Sequence, residues 1–240
     1  MEDLAPAQNS NQLAGASVIQ AMAVLETAAH LHAAWWENES IRTLFDSEDH
    51  TESAANLVQT LFQQAWPRFI ANADVKVPEN TRRFGAYLTE HLSTLSSCFD
   101  NTPQTLTHGD FRLDNMLFDK RGADLRCWLI DWEDIGFGSA AYDVAWFIGG
   151  CLDINTSSEE EKLLRAYHEQ LVRQGVRNYV WAEFQRDYRY AMSDAFVQGI
   201  LMATTDKADS TYHTQLAQVI GRRFIHACER LHLHQLIEAD

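Results

Sequence analysis

Residues 106–119, LTHGDFRLDNMLFD, constrain the fold of this 240-residue chain more than any other stretch. One His, two Asp, one Arg and one Asn stand between Leu106 and the apolar run Met116-Leu117-Phe118, with a third Asp at 119, so a polar loop is held between two segments that read as buried. Burying such groups costs free energy unless they are paired or used. The loop therefore reads as a site.

Before it, the helical period dominates. Ser17 and Gln20 have capping-box spacing, and Ile19, Met22, Leu25, Ala29, His32 and Trp36 recur at threes and fours, which predicts an amphipathic helix with that stripe inward. A second helix places Leu57, Val58, Leu61, Phe62, Ala65, Trp66, Phe69 and Ile70 on one face, with Pro67 kinking or ending it. A third runs from about Glu79 to Phe99, with Phe84, Leu88, His91, Leu92 and Leu95 as its inner stripe.

The character changes at the polar loop. Thr105-Leu106-Thr107, Met116-Leu117-Phe118 and Cys127-Trp128-Leu129-Ile130 are short and apolar, and Asp119-Lys120-Arg121-Gly122 has turn chemistry, which predicts a small β-hairpin beside the loop. After Gly136 and Gly138, read as a turn, the helical period returns in Ala140 to Gly150. It returns again from Ser157, a capping-box start with Glu160, to Gly175 as a stop. Two long helices, about Trp181 to Thr205 and His213 to Ala239, finish the chain. No internal repeat or Pro-rich linker divides it.

With 46% hydrophobic residues the chain can bury a sizeable core, and no run approaches the roughly 18 apolar residues of a membrane span. A formal charge of −15 argues against nucleic acid or an anionic membrane as the main partner. Cys98, Cys127, Cys151 and Cys228 show no C-x-x-C spacing and the N-terminus no signal pattern, so the expected home is the cytoplasm.

The chemistry lies in two clusters that the hairpin can fold together. Asp110 and Asn115 share one loop, and Asp131 ends the following strand in Ile130-Asp131-Trp132-Glu133. Magnesium takes oxygen ligands, keeps several waters and is commonly held by one or two carboxylates plus substrate phosphates, a role open to Asn115 and Asp131. Asp110 can then accept a hydroxyl proton as the acceptor oxygen attacks phosphorus. A metal-dependent hydrolase fits less well, for want of His ligands or a second carboxylate pair.

His108-Gly109-Asp110 with Asn115 five residues on, followed by Ile130-Asp131-Trp132-Glu133, resembles the catalytic loop and metal segment of the aminoglycoside phosphotransferase and choline kinase-like family, relatives of protein kinases that phosphorylate small molecules. The resemblance runs from the first helix, with His30-Leu31-His32 and Trp35-Trp36, almost to the end of the chain. It implies a mainly α fold with a small β-hairpin, the helical C-terminal lobe of a protein-kinase-like phosphotransferase, with the catalytic loop at 105–119 and the metal segment at 127–138. It implies Asp110 as catalytic base, Asn115 and Asp131 as Mg2+ ligands, ATP (or GTP) as co-substrate and a small-molecule acceptor. His108 would brace the loop and Asp143, in Ala141-Tyr142-Asp143-Val144-Ala145, would anchor it. Arg112, Trp132 and Glu133 are candidates for substrate or phosphate contact.

The family's Gly-rich hairpin and strand lysine find no counterpart in these residues, since the four lysines (Lys76, Lys120, Lys162, Lys207) all fall in the helical region. Residues 1–16 instead resemble the end of an inter-lobe hinge, with Glu2, Asp3 and Leu4 as candidate nucleotide contacts, and residues 17–240 a single helical lobe. The expectation is a catalytic and acceptor lobe without its nucleotide lobe, weakly active alone, joined by a separate N-terminal lobe or by a second copy. The competing expectation is a non-catalytic binding module derived from such a kinase.

Simpler readings hold for much of the rest. Asp114 and Asp119 read as turn residues, the tryptophans as core with Trp35, Trp36, Trp132 and Trp146 available to wall a pocket, and the paired histidines as surface or hydrogen-bonded groups. Gly136-Phe137-Gly138 is discounted as a nucleotide fingerprint.

Overall fold

The computed structural model describes residues 4–45, 51–96, 102–122, 124–204 and 211–237. Glu2, Asp3, Phe99, Thr205 and Ala239 lie outside them, as does the Leu95 side chain. Eight α-helices run among the described residues: α1 Val18–Ala34, α2 Glu39–Arg42, α3 Thr51–Asn72, α4 Glu79–Ser96, α5 Ala140–Cys151, α6 Glu160–Arg173, α7 Trp181–Thr204 and α8 Thr211–Arg230. Five short strands lie with them: β1 Gln8–Asn9, β2 Gln104–Thr107, β3 Met116–Arg121, β4 Asp124–Leu129 and β5 Gly136–Ser139.

Helix α1 starts where expected. Ser17 accepts from the Gln20 amide while the Gln20 side chain accepts from the Ser17 amide, a complete capping box. Its buried face agrees with the expected stripe at Leu25, Ala29 and His32, but Ile19 is 72% exposed and Met22 lies outside, with Ala21, Val24 and Ala28 buried instead. Alanines let α1 approach α6 closely, and that contact decides the rotation of the helix. Helix α3 runs past Pro67, and Leu57 and Leu61 of its expected stripe are exposed, whereas Phe62, Trp66 and Phe69 are buried. Trp66 stacks on Phe69 and tilts onto Phe196 of α7, so the core is aromatic where α3, α4 and α7 meet. In α4 the backbone leaves helical geometry at His91, whose ring stacks on Tyr87.

Helix α5, buried at almost every position, packs on α7 and α8 and forms the centre of the molecule. The expected Ser157 cap is absent. Residues Ile154–Glu159 form a 3-10 segment capped by Asp153, and α6 begins only at Glu160. Its end is as read: Gly175, at φ +105°, donates to the Val172 carbonyl and Val176 to that of Leu171, a Schellman closure. The last helix stops at Arg230, short of the expected end, because the chain turns at His232 (φ +50°) into a 3-10 segment, Leu233–Ile237.

Strands β3 and β4 form the expected hairpin, and β1 adds to its edge. Asp119 and Lys120 belong to β3 rather than to the turn, which falls at Gly122. Gly136-Phe137-Gly138 is also strand and not turn: β5 pairs antiparallel with β2, Thr107 opposite Gly136. The two small sheets hold both ends of the polar loop and of the segment after Ile130. No described helix is long and apolar enough to cross a membrane.

Candidate active site

The polar loop leaves β2 at Thr107 and enters β3 at Met116, and both strand ends are pinned. Met116 pairs with Leu129, and the Ile130 amide donates to the Asn115 carbonyl at 3.0 Å, so the Asp131 backbone follows next to Asn115. The hairpin thus brings the two clusters to one end of a sheet.

Within the loop, Gly109 sits at φ +84°, and a Cβ there would fall 2.0 Å from the Asp134 carbonyl oxygen. Only glycine satisfies both the backbone angle and the close approach. Asp143, fully buried in the first turn of α5, accepts from the His108 amide at 2.8 Å and the Gly109 amide at 3.1 Å. His108 is buried too, and its Nε2–H donates to the Ile130 carbonyl at 3.0 Å. One anchor therefore holds the polar loop to α5 and one brace holds it to the segment after Leu129.

Asp110 follows these anchored amides. Its Oδ2 accepts from Arg112 Nε and from Asn115 Nδ2, both at 2.8 Å. The second hydrogen of the Asn115 amide goes to the Asp110 carbonyl at 2.9 Å. With Oδ2 occupied, Oδ1 is the Asp110 oxygen left for an acceptor proton. With both amide hydrogens on Asp110, Oδ1 of Asn115 is the atom that can meet a cation. Arg112 is pulled two ways. Burial lowers its pKa, but Asp110 and Asp114 beside it outweigh that and hold the guanidinium above its ordinary value.

Asp131 adopts φ +64°, unusual for a residue with a side chain, and its exposed carboxylate has no protein partner among the described residues. Among the described residues no three His, Cys, Asp or Glu side chains converge as a metal cage. Asn115 and Asp131 offer two oxygen donors, a set that suits Mg2+ completed by phosphate and water. Trp132 lies over His108 with ring centroids 4.7 Å apart, its indole N–H donating to the Leu129 carbonyl, and Glu133 is exposed beside it. Leu4 is half-buried at the start of the segment that carries β1 to the hairpin. Trp36 packs on Tyr179 and Trp146 on Phe224, so these two tryptophans serve the core.

Three residues to which the sequence assigned no role of their own lie close by. Burial, and then the carboxylates of Asp194, Asp143, Asp110 and Asp134, hold the Tyr142 hydroxyl far above its usual pKa. Burial pushes the Asp194 carboxyl of α7 up to about 6. A lone Asp inside the apolar run Ala191 to Val197 was the available signal. His32, expected on the inner stripe of α1 and as a surface or hydrogen-bonded group, is fully buried and meets Asp143. Beside Arg112 opens a cavity of about 630 Å3, with Phe69, Val75, Met202 and Leu216 as apolar wall and Arg68 and Arg222 at its rim.

A model of the Ecdysteroid kinase-like family matches residues 1–177. The 4-hydroxytryptamine kinase of Psilocybe cyanescens is 28% identical over 113 residues, which is 44% of this chain and 28% of that kinase's length. Among solved structures, the ethanolamine kinase of Plasmodium vivax is similar with a TM-score of 0.58 at 11% identity, over 94% of this chain and 62% of the other. A Ralstonia eutropha protein, provisionally an aminoglycoside phosphotransferase, gives 0.51 at 12% identity, over 93% of this chain and 69% of that one. This chain thus spans less than two thirds of the length of the kinases named first. The fold is that of the kinase-like phosphotransferases, and the chain belongs to the Ecdysteroid kinase-like family.

Proposed function

We propose that this chain is the catalytic and acceptor-binding lobe of an ATP- and Mg2+-dependent kinase that phosphorylates a hydroxyl of a small molecule. The observation that carries the reading is the division of labour around Asp110. One oxygen is tied to Arg112 and Asn115 and the other is left, while Asp131 is lifted out of the hairpin on a left-handed backbone. The acceptor oxygen attacks the γ-phosphorus, its proton passes to Asp110, and the bond to the β-phosphate oxygen breaks with its electron pair leaving on ADP. Asn115 and Asp131 would hold Mg2+, which neutralises phosphate charge. Arg112 keeps the Asp110 carboxylate oriented, and Glu133 and Trp132 stand where phosphate or acceptor would pass. The segment before α1 would serve as the hinge, with Leu4 available to the nucleotide.

The acceptor enters by the cavity beside Arg112. The acceptor class is a hydroxyl compound that also carries an amine, the class to which the substrate named for the 4-hydroxytryptamine kinase belongs. These 240 residues hold no Gly-rich hairpin or strand lysine of the family's kind, so on their own they bind ATP weakly and need a nucleotide lobe for full turnover. Calorimetry with ATP and Mg2+ tests this, followed by transfer of the γ-phosphate to a panel of amino alcohols and matched neutral alcohols once such a lobe is supplied. Weak binding alone and transfer favouring amino alcohols are expected. No transfer to any alcohol in the reconstituted enzyme would favour the non-catalytic module.

A further inference from the structure

Behind the catalytic loop lies a buried relay that reaches a helix far from the reacting groups. Asp143 spends Oδ1 on the Gly109 amide and Oδ2 on the His108 amide, and Oδ2 also meets His32 Nε2 of α1 at 3.2 Å. The other ring nitrogen of His32, Nδ1, lies 2.7 Å from the hydroxyl of Tyr167 on α6. His32 and Asp143 are fully buried and Tyr167 is 1% exposed.

We propose that Tyr167 is a positioning residue of the phosphotransfer loop, its hydroxyl donating to His32 Nδ1 and so fixing the imidazole tautomer whose Nε2–H points at Asp143. A carboxylate only accepts, so the bond to Asp143 needs the hydrogen on Nε2. A neutral imidazole with its hydrogen on Nε2 has a bare lone pair on Nδ1, and a buried lone pair needs a donor. The Tyr167 hydroxyl is that donor. Burial, and then Asp143, hold its pKa well above the ordinary value, so it keeps its proton. In the opposite arrangement, with the hydrogen on Nδ1 and the phenol accepting, the lone pair of Nε2 would face the carboxylate and repel it. Hydroxyl, imidazole and carboxylate then form one directional chain, Tyr167 to His32 to Asp143, ending at the two amides that immediately precede Asp110. Thr105 of β2 supports it by donating to the His32 carbonyl at 2.7 Å. The relay ties α6 to the loop through side chains.

The catalytic meaning rests on the phosphotransferase reading, but the relay itself can be tested without activity. Nitrogen-15 NMR of ring-labelled protein should show His32 as the Nε2–H tautomer. Tyr167→Phe, which keeps the ring and removes one oxygen, should leave a mixed tautomer. It should also speed amide exchange at His108 and Gly109 by about tenfold, the loss of roughly one buried hydrogen bond, while mid-helix amides of α1 and α6 hold their rates. In the reconstituted enzyme kcat should fall with acceptor KM unchanged. Absence of turnover in the wild type would count against the function and leave the exchange result intact. A wild-type His32 protonated on Nδ1 alone would overturn the proposal, even if the variant failed to fold. So would a Tyr167→Phe protein whose loop amides are unchanged, or one whose helices and loop loosen equally.

Discussion

At the scale of single residues, the loop depends on positions where only one side chain fits. Gly109→Ala puts a methyl group against the Asp134 carbonyl at a φ that disfavours L-residues. The strain alone is about 1–2 kcal/mol, and the contact adds to it. Urea unfolding should show a loss of at least about 2 kcal/mol, and transfer activity should be lost as the loop shifts away from Asp134. Asp194 makes the opposite kind of statement. Its folded carboxyl releases its proton near 6 against an ordinary 3.8, so the folded state holds the proton more tightly and stability falls as pH rises through that window. A shift of about two units is worth at most about 3 kcal/mol. Asp194→Asn has no charge to bury, so its stability relative to wild type should grow between about pH 4 and pH 7, as paired thermal melts can show. A constant difference across that range would contradict the assignment.

At the scale of elements, Arg223 of α8 shows how the N-terminal segment is fixed. Its guanidinium donates to the carbonyls of Gln12, Leu13 and Gly150, all within 3.0 Å, and so ties the approach to α1 to the end of α5. Arg223→Lys cannot reproduce the fork and leaves buried carbonyls unpaired, a cost of about 3 kcal/mol that denaturant melts should reveal. Elements set by local chemistry were readable from sequence: the Ser17 capping box, the Gly175 closure and the β3–β4 hairpin, while the Asp143 anchor came from the family resemblance. Elements set by distant partners were not. The α1 stripe was right at Leu25, Ala29 and His32 and misplaced at Ile19 and Met22, which outweigh Ala21 and Ala28 in apolarity yet stay outside. Strand β5 is two glycines, a Phe and a Ser, and it exists because β2, about thirty residues earlier, offers an edge. Tyr142, Asp194 and Tyr167 join the site only through packing of α5, α6 and α7, which no local pattern records.

At the scale of the whole molecule, two small sheets and the buried helix α5 converge on one loop. In the function proposed above, Asp110 moves a proton while Asn115 and Asp131 hold a metal. Both Asp→Asn changes preserve shape, and Asn is among the few residues that tolerate the backbone angle of Asp131. The direct measurement is Mg2+–ATP affinity and transfer rate, side by side, for Asp110→Asn and Asp131→Asn with the nucleotide lobe supplied. Asp110→Asn should keep affinity within about twofold and lower turnover by about 100-fold or more, the usual scale for a lost proton acceptor. Asp131→Asn should weaken apparent Mg2+ affinity and turnover together. Loss of metal binding in Asp110→Asn, with affinity and rate untouched in Asp131→Asn, would contradict the account.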